Sequence, residues 1–546
     1  MANDHRGIER TGVTLLGIGV LGVIAALVFG IFLRGGAPAE PHTSPSENPS
    51  ASPSPSPSVE PAAFVTVDGP DFSLDGEPFR YASANSYTLM FEAPATQMVY
   101  MMQAKESNLT VMRTWGFFDI GTPEGDLAVE ISNRNVYFQY WDVEANKPAY
   151  NDGENGLERL DNVIAAAEAQ GIKLVLPLVN NWTAFGGIDQ YVRWAGGEHH
   201  DDFFTDDEIK QWYRDWVSHV LNRTNTVTGK VYKDDPTIML WELGNELQCS
   251  ESGPYPPSEN CGSDIMVSWA DEMSQFVRSI DQNHLIGFGG EGFLCSEPGG
   301  DNWLTNCEKS ADPVALLALE NIDAHGIHVY PNHWHPTEPT SDWEDFGEWW
   351  IDEQGAIASD ANKPYYMGEY GWIVQSERML VFDNWLQHFY DAGGDGSHFW
   401  LMQPAASIAA PPDSVGFTQR CPGPTCDLVS NWSQHVGQGV PWTEFGPIAE
   451  NDFAFEEQDG SATIDILAND KVYAPATWDL ATIDLDPDAA GVQSSIDVDG
   501  GTFAVTEGKV TFTPTDGPVS ARAFYSIADS EGRVAQARQV AVSPAT

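Results

Sequence analysis

The chain has 546 residues, 42% of them hydrophobic and 11% aromatic, so it can bury a core, and wholesale disorder, collagen and coiled coil are excluded. At roughly 100–200 residues per domain, two to four domains fit. Its 80 acidic side chains against 26 basic ones leave a net charge of −54, a field that repels nucleic acid and anionic lipid and favours a neutral ligand.

In chain order, residues 13–33 come first, 21 positions without a charge. That is long enough to cross a bilayer as a helix. Arg6 and Arg10 precede the run, and after Arg34 the next basic residue is Arg80, a bias that places everything downstream outside the cell. Residues 1–34 therefore read as a cytoplasmic stub with a membrane anchor, or as a signal peptide cut near Ala37-Pro38-Ala39. Residues 35–63, with the repeat SPSPSPS, predict an extended spacer.

From Phe64 on, strand-like and helix-like stretches alternate. Apolar runs at 81–87, 109–115, 172–178, 237–243, 285–289, 322–328, 364–369 and 397–401 predict eight strands. Helical spacing predicts helices at 156–170, 206–221, 263–280 and 378–392, the first ending at a Gly cap. Eight strand–helix repeats over residues 64–446 predict an α/β fold, a parallel (β/α)8 TIM barrel. A doubly wound sheet is the alternative, but the first turn reads NSYTLMFEAP and lacks the glycines of a phosphate loop. Residues 447–546 change texture: SATIDIL, GTFAV and KVTFTP alternate without helical spacing and predict a small all-β sandwich.

The cysteines form three close pairs, Cys249 with Cys261, Cys295 with Cys307, and Cys421 with Cys426. Such a set suggests disulfides in an oxidising compartment, although six cysteines allow fifteen pairings. A bond between the first pair would stiffen the loop after Glu246. No zinc-type CxxC cluster occurs.

Barrel enzymes build their sites where strands end on the C-terminal face. Those ends carry Arg113 and Trp115, Asn181 and Trp182, Asn245 and Glu246, His328 and Tyr330, Glu369, and Trp400. Two carboxyl groups beside aromatic rings and amide donors are what glycoside hydrolysis requires: one group donates a proton and the other attacks or activates water. A lone Glu at a strand end is more often a salt-bridge partner. The combination is what points to chemistry.

WELGNEL, the HVYPNHW stretch and GEYG resemble glycoside hydrolase family 5, and FSLDGEPFRYASANSYTLM, VMRTWGFFD and LVLPLVNNWTAFGGIDQYVRW bring the resemblance closest to its endo-β-1,4-mannanase branch. The resemblance covers about residues 64–445. It implies Glu246 as general acid/base and Glu369 as nucleophile. It also implies Asn245 on the sugar 2-hydroxyl, Arg113 and Tyr330 orienting Glu369, His328 beside Glu246, and Trp400 as the floor. Arg113 is expected to lower the Glu369 pKa, and a dry setting to raise that of Glu246. The family usually has Pro after the acid/base; here Leu247 stands there.

Other clusters carry less. Trp115, Trp182, Trp334 and Trp372 could extend the cleft, with Trp182 the favoured platform. His199-His200-Asp201-Asp202 reads as a solvated loop rather than a metal site. His325, His328, His333 and His335 have the look of a metal cluster, and Glu291 that of a rim acid or a supporting one. TIDILANDKV, GKVTFTPTDG and AFYSIADSEGRVAQARQVAV resemble cadherin-like or immunoglobulin-like modules. There Asp465, Asp470 and Asp529 read as turn acids before calcium ligands, and no row of exposed aromatic residues stands out. The expectation is a monomeric, extracellular, anchored or secreted β-mannanase acting on a neutral polysaccharide, with no metal and no cofactor. The rival readings are a glucanase, a transglycosylase, or a surface adhesin that binds glycan without cleaving it.

Overall fold

The structure, a computed structural model, describes residues 63–125, 135–250, 253–335, 340–405, 416–506 and 508–545. The membrane run at 13–33 and nearly all of the spacer lie outside the described residues. Among the described residues no helix is long and apolar enough to cross a membrane.

Eight strand–helix repeats follow one another. β1 (Tyr81–Asn85) leads to α1 (Pro94–Glu106), and β2 (Val111–Arg113) to α2 (Glu158–Gln170). β3 (Lys173–Pro177) leads to α3 (Asp207–Leu221), and β4 (Ile238–Glu242) to α4 (Ser263–Ile280). β5 (Leu285–Gly287) leads to α5 (Pro313–Leu317), and β6 (His325–Val329) to α6 (Thr340–Ala361). β7 (Tyr365–Tyr370) leads to α7 (Arg378–Asp391), and β8 (Gly396–Phe399) to α8 (Pro424–Gln438). The strand order is β5-β4-β3-β2-β1-β8-β7-β6, with every neighbouring pair parallel. A parallel bridge from Gly287 to Ala324 joins the two edges, so the sheet closes into a (β/α)8 barrel.

The strands read as apolar runs because helices cover one face and the barrel interior the other. All five positions of β4 and all six of β7 are buried. On α2, Leu160, Val163, Ile164 and Ala167 form the buried stripe, and Gly171 ends the helix in the left-handed region at φ 68°. On α3, Asp206 caps the N-terminus by accepting from the Glu208 and Ile209 N–H groups.

The barrel floor was not anticipated. Strands Val65–Asp68, Asp71–Leu74 and Glu77–Pro78 form a small antiparallel sheet. Its Val65 and Phe72 pack with Tyr81, Val111, Val175, Leu285 and Tyr366, at or near the starts of barrel strands. This plug closes the end opposite the site. The hairpin Gln139–Asp142 with Lys147–Tyr150, in the β2–α2 connection, also went unread.

Beyond the barrel, β9 (Asp452–Phe455), β10 (Ala462–Ile464), β11 (Trp478–Asp484), β12 (Ser495–Val498), β13 (Gly501–Thr506), β14 (Lys509–Pro514), β15 (Ala521–Asp529) and β16 (Arg538–Ser543) form two four-stranded sheets. Their orders are β9-β16-β15-β11 and β10-β14-β13-β12. Ile464, Phe503, Phe512, Tyr525, Ile527 and Val540 from both sheets share one core, separate from that of the barrel. Barrel and sheets belong to one unit. They meet where Trp442 stacks on Tyr473 at 5.2 Å, Asn431 donates to the Tyr473 hydroxyl, and Lys471 pairs with Asp383. Asp465 pairs with Lys509 and Asp470 accepts from Tyr525, both on other strands, while Asp529 is held by Arg533 within its own turn.

All three close cysteine pairs are bonded: Cys249–Cys261, Cys295–Cys307 and Cys421–Cys426.

Candidate active site

The strand ends converge as the barrel geometry requires. A groove of about 360 Å³ opens at the C-terminal face, and Glu246, Glu369, Trp182, Tyr330 and Trp400 line it. One oxygen of Glu246, one oxygen of Glu369 and a nitrogen of His328 all lie within 4.8 Å of one another.

The two carboxyl groups are held differently. Arg113 donates to Glu369 Oε1 at 2.6 Å and the Tyr330 hydroxyl donates to Oε2 at 2.8 Å. Glu246 Oε2 accepts from the Trp182 indole N–H, and Oε1 lies 2.7 Å from His328 Nδ1. Glu246 itself sits at φ 57°, a left-handed conformation that is strained for any residue but Gly. Its N–H bonds Gly289 O at 2.6 Å, the neighbouring Asn245 N–H bonds Val179 O, and the Asn181 N–H bonds Asn245 O. Gly289 admits no side chain: a Cβ there would lie 1.9 Å from Gly244 O. Leu247, in place of the usual Pro, turns inward over Gly244 and is buried.

Arg113 is fully buried and is the hub beneath the groove. It reaches Glu242 at 2.7 Å, Asn245 Oδ1 at 2.7 Å and Asn85 Oδ1 at 3.2 Å as well as Glu369. Glu242 also accepts from the Tyr366 hydroxyl at 2.9 Å. The Asn245 amide donates to Asn180 at 3.0 Å. All three guanidinium nitrogens are thus partnered by carboxylate or amide oxygens, which is what a buried cation requires.

Burial raises the Glu246 pKa above the ordinary carboxylate value, against the opposing pull of Trp182, Arg113 and His333. Burial raises that of Glu369 too, outweighing His328, Arg113 and Tyr330. Arg113 pulls Glu369 down as expected, but desolvation outweighs that pull and the net direction is upward. Burial pushes His328 down to about 4, so above that pH the ring is neutral. Arg113 remains the cation against Glu369, which makes Glu369 the better placed of the two to carry charge.

Two expected ligand residues stand back from the groove. Trp115 lies behind Trp400, with ring centroids 5.9 Å apart, and packs on Tyr87 and Phe117. Asn181 is fully buried; its Oδ1 accepts from the Gln248 N–H and lies 3.1 Å from His200 Nε2. The alternation along the edge turns Trp182 to the groove and its neighbour away. Trp334 lines the groove, whereas Trp372 is core.

His200 and Asp201 correct the reading of 199–202 as a solvated loop. Both are buried; His200 Nδ1 lies 2.6 Å from Asp189, and Asp201 accepts from Ser258. His325 hydrogen-bonds Gln354, and the four histidines gather no metal cluster among the described residues. Glu291 is not a plain rim acid: it is buried, accepts from Gln248 and Trp334, and is pushed well above the carboxylate range by burial and by Glu246. Sequence reasoning missed Glu242, Asn85, Gln248, Trp303 and Phe417. A charge inside the apolar run of β4 was the one available signal, for Glu242; Trp303 and Phe417 come from irregular segments with no periodicity to read.

A family profile described as glycoside hydrolase family 5, β-mannosidase-like, matches residues 62–381. The probable mannan endo-1,4-beta-mannosidase C of Aspergillus terreus is 36% identical over 326 residues, 58% of this chain and 75% of the relative. Mannan endo-1,4-beta-mannosidase A of Podospora anserina is 32% identical over 343 residues, 62% of this chain and 82% of the relative. The crystal structure of the endo-1,4-beta-mannanase from Rhizomucor miehei is 35% identical, with a TM-score of 0.63, over 69% of this chain and 100% of its own. The endo-beta-1,4-mannanase structure from Thermotoga petrophila is 26% identical, with a TM-score of 0.61, over 86% of this chain and 99% of its own.

Proposed function

Because the chain belongs to glycoside hydrolase family 5, in its β-mannosidase-like branch, we propose that it is a retaining endo-β-1,4-mannanase cutting internal bonds of mannan-type polysaccharides. The observation that carries the mechanism is the approach of a Glu246 oxygen to a Glu369 oxygen within 4.8 Å. Retaining glycosidases hold their carboxyl groups about 5–5.5 Å apart; inverting ones need about 6.5–9.5 Å to admit a water.

In this reading Glu369 attacks the anomeric carbon as the bond to the leaving sugar breaks, and Glu246 gives its proton to the departing oxygen. Water then opens the glycosyl ester, returning its proton to Glu246 and freeing Glu369. Arg113 and Tyr330 orient Glu369, while His328 and Trp182 hold Glu246. Asn245 would donate to the sugar 2-hydroxyl from the amide hydrogen that Asn180 does not take. Trp400 would form the floor beneath the ring.

A neutral polymer suits the charge of −54. The three disulfides suit an extracellular setting, in which residues 1–34 anchor or export the enzyme and 35–63 space it from the surface. We assign catalysis to 64–446 and an accessory sandwich, of cadherin-like or immunoglobulin-like kind, to 447–546.

Reducing-end release from mannan, glucomannan and carboxymethyl cellulose tests the substrate, with turnover expected on the first two and none on the third. Glu369→Gln is expected to abolish turnover while the fold survives, as read from far-UV circular dichroism. Near-native activity in that variant would refute the role.

A further inference from the structure

Among the described residues, four large aromatic side chains are strongly exposed: Trp349 at 43%, Phe453 at 56%, Phe455 at 61% and Phe524 at 53%. Three of the four lie on one sheet. Phe453 and Phe455 alternate outward on β9, with ring centroids 5.0 Å apart, and Phe524 points outward from β15 while Ala523 and Tyr525 turn into the core. Single exposed apolar residues are ordinary, but a cluster on one face marks a binding surface. The core of this module is complete without these rings.

The face borders a crevice of about 720 Å³ between the module and the barrel loops. Phe453, Phe524 and Gln539 line it from the module, and Gln375, Gln419 and Arg420 from the barrel. Aromatic rings beside amide and guanidinium donors are the composition that takes up a sugar ring, which offers an apolar face and a hydroxyl rim. The crevice also adjoins the catalytic groove along the chain. Phe417 lines the groove, and the next three residues, Thr418, Gln419 and Arg420, line the crevice.

We propose that the outer face of β9, β16 and β15, with this crevice, is a second binding site for the neutral β-linked polysaccharide cleaved in the groove. The proposal rests on the functional reading above. In the sheet register Phe453 pairs with Ala541, and Phe524 with Gln539. Their Cα atoms are therefore two strands and two residues apart, about 12 Å, a span that a short run of linked hexoses covers. A polymer held here is retained near Glu246 and Glu369 between cuts, while an oligosaccharide that fits the groove alone gains nothing.

The test uses the full chain carrying Phe453→Ala with Phe524→Ala. Pull-down on insoluble mannan is expected to weaken about tenfold, and KM on soluble mannan to rise about tenfold, with kcat/KM on mannohexaose unchanged. Phe453→Tyr with Phe524→Tyr, which keeps the rings, is expected to retain polymer binding. Unaltered pull-down in the alanine variant overturns the proposal. So does an equal loss on polymer and oligosaccharide, or an effect seen only as altered self-association in sedimentation. If the wild-type chain binds mannan through these residues yet cleaves no β-mannan, the functional reading fails and the binding site stands.

Discussion

The Trp182 indole N–H lowers the proton affinity of Glu246, and Trp182→Phe isolates that effect because an aromatic ring stays and the N–H donor is lost. The Glu246 side chain is 12% exposed, so solvent screens this bond little. A hydrogen bond to a carboxylate is worth about 1.5–3 kcal/mol, and one to the neutral acid about 0.5–1.5. The N–H therefore favours the ionised form by about 1–1.5 kcal/mol. Its direction is downward, against the larger upward push of burial. Without it Glu246 keeps its proton to higher pH. The basic limb of kcat/KM against pH, where the proton donor of the free enzyme is lost, moves to higher pH. Initial rates on mannohexaose across the pH range measure this. A basic limb that stays in place, or moves down, would refute the assignment of Glu246 as the proton donor governed by Trp182.

Glu242→Gln leaves the charge of Arg113 to Glu369 alone, so the acid limb of the same profile is expected to shift to lower pH. Loss of one partner from a buried ion pair should also lower the melting temperature; an unmoved acid limb would show that Glu242 does not act through Arg113. Burial pushes the Asp119 carboxyl up to about 8, while the same group in the unfolded chain titrates near ~3.9. Its contribution to stability is complete below the unfolded value and is lost as pH rises through the folded one. Asp119→Asn removes that loss. Its stability relative to wild type should grow by about 1.4 kcal/mol per pH unit between pH 5 and 7 and level off above 8, as read from denaturant unfolding. A difference that does not change with pH would contradict it.

The eight barrel strands were legible in order because parallel strands covered on both faces must be apolar throughout, and their C-terminal ends were legible because polar residues interrupt the runs there. Glu246, Glu369, Arg113 and Tyr330 were found by that rule. What was illegible depends on partners distant in sequence. Glu242 looks misplaced in an apolar strand until Arg113, 129 residues earlier, is seen against it. Asn181 and Trp182 are adjacent, and only the path of the β3–α3 connection decides which one meets the groove. Trp115 ends its strand as the rule requires, yet Trp400 stands in front of it. His200 and Asp201 sit in a polar tetrad that composition marks as wet, and only the Asp189 and Ser258 partners explain their burial. The three exposed phenylalanines gave no sequence signal, since their alternation matches that of buried strand positions.

The backbone around Glu246 has a consequence for how this fold can change. The end of β4 is stitched on one side to Val179 and Asn181, and on the other to Gly289, by main-chain bonds that do not depend on side-chain identity. The proton-carrying group is thus clamped before the loop after it begins. That loop can accept Leu247, a disulfide bridge or an insertion while the carboxyl stays where it is. New pocket shapes could be grafted downstream of such a mount without rebuilding the chemistry.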